Sequence, residues 1–245
     1  MLLEEKLARL TTESETAITV GVFDGVHIGH KYLLSKLIKQ SKENNLTSCV
    51  VTFKQHPLKL FNPKTSPPFL TNLTQKTKLL GKAGTQNVIA LTFTTEVAHT
   101  GARQFVYLLQ KYLKMRRLIL GPDFTLGKNQ EGDADFLRNL SQDMGFTLTV
   151  VPYLKIDGEI VSSTAIREAL SIGDIKKVSN MLGRYYSLEG YVIPGNGRGT
   201  KIGFPTANLD IETGYVMPST GIYTTWAYVD QRRYQSVTNI GIRPT

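Results

Sequence analysis

Gly21-Val22-Phe23-Asp24-Gly25-Val26-His27-Ile28-Gly29-His30 follows an apolar, β-branched run and leads into a helical pattern. Its glycines suit tight turns and let a ligand approach the backbone closely. The spacing of His27 and His30 places both side chains on one face of the first helical turn. The unpaired N–H groups and positive dipole end of that helix point to the same place. Two imidazoles, free backbone donors and small residues suit a nucleoside triphosphate, with Gly21, Phe23, Asp24 and Gly25 shaping its bed. A zinc site would need further ligands, and only Asp24 lies nearby. The plainer alternative is that one histidine caps the helix and the other is ordinary surface.

Working outward, Ile18–Phe23 reads as a strand and Lys31–Asn44 as a helix with Leu33, Leu34, Leu37 and Ile38 on its apolar face. Thr47–Phe53, Asn87–Phe93, Arg117–Leu120 and Phe146–Val151 read as further strands, with helices over Arg103–Lys114 and Asp133–Gln142. Strand and helix alternation predicts an α/β fold, a Rossmann-like parallel sheet covered on both faces. Ligands of such sheets bind beyond the carboxyl ends of the strands, where His27 and His30 fall. After about residue 183 glycine, proline and tyrosine become frequent, and Tyr185–Ile193 and Ile222–Val229 alternate as strands do. The expected organisation is therefore a first domain over 1–183 and a partial antiparallel β-barrel domain over 184–245.

Composition narrows the function classes. At 245 residues with 41% hydrophobic content, the chain can bury a real core. No run approaches the length of a membrane span, and the charged N-terminus lacks the apolar core of a signal peptide. Cys49 is the one cysteine, so no internal disulfide forms; its strand setting suggests an inert core thiol in a reducing cytoplasm. A net charge of +9 invites a nucleic-acid reading. The basic residues are scattered, however, without a stripe to follow a phosphate backbone, so the excess reads mainly as an ordinary lysine-rich surface that also suits small polyanions, with no nucleic-acid or membrane partner expected.

A second anion cradle reads in Val161-Ser162-Ser163-Thr164-Ala165-Ile166-Arg167. Hydroxyls of Ser162, Ser163 and Thr164, helix N–H groups and the Arg167 guanidinium converge at a helix start. A simple Ser/Thr cap would account for one of those hydroxyls.

The Gly21–His30 stretch resembles the Gly-x-Phe-Asp-Gly-x-His-x-Gly-His signature of the nucleotidylyltransferase superfamily, with residues 27–30 spelling its HIGH form. The full match resembles the FMN adenylyltransferase module of prokaryotic riboflavin kinase/FAD synthetases. The resemblance implies that His27 and His30 stabilise charge on ATP phosphates as adenylate is transferred to FMN, giving FAD and pyrophosphate. It further implies that Ser162, Ser163, Thr164 and Arg167 grip the triphosphate and that Mg²⁺ assists. Thr52-Phe53-Lys54-Gln55-His56-Pro57 resembles the loop that places Phe53, His56 and Pro57 beside the flavin, with Lys54-Gln55 replacing the family's acidic-proline step. Gly121-Pro122-Asp123-Phe124-Thr125-Leu126-Gly127 resembles a second flavin loop, implicating Asp123 and Phe124. There Pro122 replaces a common tyrosine, and Thr125-Leu126 an Arg-Phe step.

Residues 190–208 resemble the riboflavin kinase signature, whose Pro205-Thr206-Ala207-Asn208 places Thr206 and Asn208 at a Mg²⁺ site. The family pattern continues beyond Thr245 with a glutamate base and closing strands. The expectation is accordingly a monofunctional FAD synthetase without riboflavin kinase activity. The alternatives are a truncated bifunctional enzyme, another HIGH-type nucleotidylyltransferase, or a non-catalytic flavin-binding regulator.

Overall fold

A computed structural model describes residues 3–62, 65–195, 199, 203 and 206–241. In chain order the elements are α1 (Leu3–Ala8), β1 (Thr16–Val20), α2 (Ile28–Glu43), β2 (Thr47–Phe53), α3 (Leu58–Phe61), α4 (Leu73–Lys82) and β3 (Asn87–Leu91). Then follow α5 (Thr95–His99), α6 (Ala102–Leu113), β4 (Met115–Leu120), α7 (Ala134–Met144), β5 (Thr147–Val150), β6 (Lys155–Ile156) and β7 (Glu159–Ile160). The later elements are α8 (Ser163–Ser171), α9 (Ile175–Leu182), β8 (Gly190–Ile193), β9 (Asn208–Ile211), β10 (Gly221–Val229) and β11 (Arg232–Ile240).

The chain forms two compact units, one of residues 1–67 and 71–162, the other of 68–70 and 163–245. The first is built on a five-stranded sheet in the order β3-β2-β1-β4-β5, with every pair parallel. Side chains alternate across a strand, and here both faces are covered. Ile18, Cys49, Val51 and Leu118 face a cluster with Leu7 of α1, Leu109 of α6 and Leu137 of α7. Ala17, Val50 and Ile119 face Leu33, Leu34 and Leu37 of α2 and Leu80 of α4. Cys49 lies inside the first cluster, and burial pushes its thiol up to about 12, as an inert core thiol requires.

The α/β reading holds, with shifted boundaries. Strand β1 ends at Val20 rather than Phe23, because Phe23 takes a left-handed φ of 52° that no strand tolerates. Helix α2 begins at Ile28, three residues earlier than its apolar pattern suggests, since His27 caps it. The order runs outward from β1 in both directions, through β2 to β3 and through β4 to β5, so a topological switch point lies at the carboxyl end of β1, the place where sheets of this kind bind ligands.

In the second unit, β8 pairs antiparallel with β9 and β10 with β11. Asp230 and Gln231 both take positive φ, 47° and 66°, the turn twist that matches a two-residue hairpin. Much of the 190–208 motif, namely Asn196–Arg198, Thr200–Ile202, Phe204 and Pro205, lies outside the described residues, as does Ile242–Thr245.

Candidate active site

The turn leaving β1 is strained and tightly held. Phe23, Gly25 and Val26 all have positive φ, of 52°, 77° and 40°. For β-branched Val26 this is a genuine outlier, the kind that persists only where surrounding structure over-determines it. The holding groups come from the segment that starts α4. Asp24 is buried, and its Oδ1 accepts from the Thr71 N–H at 3.1 Å and the Thr71 hydroxyl at 3.3 Å. The same Thr71 Oγ1 accepts from the Gly25 N–H at 3.0 Å. Asn72 then caps α4 in a reciprocal box with Gln75.

One turn into α4, buried Lys76 donates to two main-chain carbonyls, Val22 at 3.0 Å and Phe53 at 2.6 Å. Desolvation lowers its ammonium to about 8, opposed by Asp24.

The imidazoles meet at the start of α2. The His27 and His30 rings stack with centroids 3.6 Å apart and an interplanar angle of 17°. His27 Nδ1 accepts the His30 backbone N–H at 3.2 Å, so His27 does cap the helix. That bond leaves the ring proton of neutral His27 on Nε2. Phe23 packs edge-on against His30, 5.1 Å between centroids. Burial, then the proximity of His27 and Lys76, holds His30 well below the ordinary histidine range, so it is neutral at pH 7. Its Nδ1 is buried with no hydrogen-bond partner among the described residues. A buried orphan of this kind costs about 1–3 kcal/mol, which a ligand oxygen or hydroxyl would recover. Gly29 lets the chain pass close by: a Cβ there would sit 3.0 Å from His27 Nδ1 and 3.1 Å from the Val161 carbonyl.

An aromatic wall stands at the ends of β2 and β3. Phe53 meets Phe93 edge-to-face at 5.3 Å, and Phe93 meets the exposed Phe61 at 6.2 Å. His56 Nδ1 accepts the Leu58 N–H at 3.2 Å and Pro57 opens α3, so both residues shape that short helix. In the other loop Asp123 is exposed, while Phe124 packs on the core cluster and its N–H reaches the Gly121 carbonyl. Gly127, at φ 83°, passes so close to α6 that a Cβ would lie 2.5 Å from the Ala102 nitrogen.

In the second unit Ser163 and Thr164 open α8, with Ser162 just before it. Arg167 lies one turn further on and its Nε donates to the Pro68 carbonyl at 2.8 Å. Thr206 is exposed, and the Asn208 amide occupies the space beside Gly195, where a Cβ would overlap its Nδ2.

Comparison with known proteins bears directly on this arrangement. The FAD synthetase family model matches residues 10–165, and the riboflavin kinase model matches 182–245. The bifunctional riboflavin kinase/FMN adenylyltransferase of Pseudomonas fluorescens is 36% identical over 228 residues, spanning 93% of this chain and 73% of that protein. The chain belongs to the bifunctional riboflavin kinase/FMN adenylyltransferase family. The Bacillus subtilis member is 32% identical over 236 residues, 95% of this chain and 74% of that protein. A solved structure from Streptococcus pneumoniae, named a macrolide-efflux protein, matches with TM-score 0.88 and 28% identity, over 96% of this chain and 76% of that one. No described helix here is long and apolar enough to cross a membrane.

Family membership overturns one expectation. The monofunctional reading, with riboflavin kinase activity absent, conflicts with a riboflavin kinase match over 182–245 and with relatives named as bifunctional riboflavin kinase/FMN adenylyltransferases.

Sequence reasoning located Gly21, Phe23, Asp24, Gly25, His27 and His30, and the fold brings them together at the switch point. It missed Thr71, Lys76, Phe61 and Phe93. A lysine on the buried face of α4, among Leu79, Leu80 and Gln75, was the one available signal.

Proposed function

We propose that this chain transfers AMP from ATP to FMN in its first unit and phosphorylates riboflavin with its 182–245 region. The observation that carries the first activity is the stacked His27–His30 pair, His27 buried and His30 half-buried, at the positive end of the sixteen-residue α2 and at the switch point of the sheet. Imidazole N–H donors suit charge developing on phosphate oxygens, where fixed donors in a water-poor site are each worth about 10²-fold in rate. A phosphate oxygen of FMN attacks the α-phosphorus of ATP. The bond to the bridging oxygen breaks, pyrophosphate leaves and FAD forms. Ser162, Ser163, Thr164 and Arg167 are assigned to the triphosphate. Phe53, His56, Pro57, Asp123 and Phe124 are assigned to the flavin, with Phe93 and Phe61 extending the aromatic wall.

Among the described residues no three His, Cys, Asp or Glu side chains cluster to hold a metal ion. The histidine turn offers nitrogen donors, and Asp24 already accepts from Thr71, so this site fits Mg²⁺ carried in as Mg-ATP rather than a resident cation. Bound so, Mg²⁺ neutralises phosphate charge. Thr206 and Asn208 supply the oxygens suited to Mg-ATP in the kinase reaction, where the ribityl hydroxyl takes the γ-phosphoryl group. A cytoplasmic setting supplies ATP to both reactions.

The test incubates the purified protein with FMN, ATP and Mg²⁺, and in parallel with riboflavin, ATP and Mg²⁺. FAD and pyrophosphate are expected in the first, FMN and then FAD in the second. Folded protein that yields no FAD from FMN refutes the adenylyltransferase assignment, and riboflavin left unphosphorylated refutes the kinase one.

A further inference from the structure

Two segments must keep a fixed separation for a flavin phosphate to meet an adenylate: the turn after β1 and the segment leaving β2. Their main chains pair through the Gly21 N–H and the Val51 carbonyl at 3.0 Å, the Thr52 hydroxyl donates to the Val22 carbonyl at 3.0 Å, and one further side chain bonds a carbonyl of each segment. Lys76 Nζ reaches the Val22 carbonyl at 3.0 Å and the Phe53 carbonyl at 2.6 Å, from a side chain only 5% exposed. Neither carbonyl lies on the helix that carries the lysine, so these bonds serve the two segments rather than α4. Charged N–H donors make the shorter, stronger hydrogen bonds, and in a buried place they hold geometry tightly. Asp24 and His30, the ionisable groups whose charges act on Lys76 or feel it, both belong to the histidine turn and its helix. Thr71, five residues earlier, grips Asp24 and Gly25 of the same turn.

We propose that Lys76 is a positioning residue for adenylyl transfer: its buried ammonium ties the phosphate-facing turn after β1 to the flavin-facing segment after β2 and sets their separation. Nothing else among the described side chains donates to both carbonyls. The role in transfer rests on the adenylyltransferase reading above, whereas the tie itself does not. Removing the ammonium should leave each substrate its own contacts while loosening their alignment, and misalignment acts on turnover more than on binding.

Lys76→Met keeps an unbranched, adaptable chain of similar length in the buried site. Amide hydrogen exchange, read by mass spectrometry, should rise about tenfold or more in both Phe23–Gly25 and Lys54–Gln55, with α6 and α7 unchanged. In the same variant kcat for FAD formation should fall about tenfold or more, with KM for ATP and for FMN each within about threefold. Lys76→Gln, shorter and with one amide head, should loosen one segment and leave the other protected; it also serves should the methionine variant fail to fold. Unchanged exchange in both segments, or an equal rise across the whole sheet, overturns the tie. A defect confined to the KM of one substrate overturns the positioning role. If wild-type protein forms no FAD, the adenylyltransferase reading fails and the exchange pattern still decides whether Lys76 joins the segments.

Discussion

Replacing Thr71 by valine removes one hydroxyl while keeping size and shape. That hydroxyl accepts from the Gly25 N–H at 3.0 Å and donates to Asp24 Oδ1 at 3.3 Å, whereas the Thr71 N–H keeps its own bond to Asp24. Losing the hydrogen bond to the buried Gly25 N–H costs about 1–3 kcal/mol, and losing a hydrogen bond to a carboxylate costs about 1.5–3 kcal/mol. The latch is therefore worth roughly 2.5–6 kcal/mol. Against it stands the strain of Phe23 and Val26 at positive φ, about 1–3 kcal/mol each. The two are comparable, so the turn should relax locally once the hydroxyl is gone, shedding strain instead of unfolding the sheet. His30 would lose its place beside Phe23, and kcat/KM for FAD formation should fall about 10²-fold, equivalent to about 2.7 kcal/mol. Global unfolding coupled to the full loss would lower Tm by about 2–4 °C per kcal/mol in a chain of this size, whereas local relaxation should lower it by only a few degrees. A coupled pyrophosphate assay and a thermal melt supply both numbers. Wild-type kcat/KM with a large drop in Tm would refute the reasoning, because the latch would then stabilise the fold without shaping the site.

Other expectations follow from the same geometry. His30→Ala should lower kcat/KM about 10²-fold with near-native circular dichroism, and near-native turnover would remove this imidazole from the mechanism. Arg167→Ala should raise KM for ATP more than for FMN, since the guanidinium is assigned to the triphosphate; steady-state kinetics with each substrate varied separate the two. Gly127→Ala should cost more than about 1 kcal/mol in chemical denaturation, because its positive φ and the Ala102 backbone at 2.5 Å both reject a Cβ; an unchanged midpoint would show that the loop shifts freely.

The parallel sheet, the turn carrying His27 and His30, and the hydroxyl-rich start of α8 were legible in the chain because each is a local pattern. Alternating apolar residues, glycines and a capping residue act within about ten positions, and periodicity reports them. Even the alternative that one histidine caps the helix was visible, and the structure realises it in His27 while packing His30 against it. What holds the turn in a strained conformation was not legible. Thr71 lies 46 positions from Gly25, and Lys76 lies 54 from Val22 and 23 from Phe53. In the sequence one is an ordinary helix-flanking threonine and the other an ordinary helical lysine. Only parallel packing of β1 beside β2, with the start of α4 set against the turn after β1, brings an ammonium and a hydroxyl within reach of buried main-chain groups. The low protonation of His30 has the same origin, since desolvation comes from everything packed around a side chain and from no neighbour in sequence.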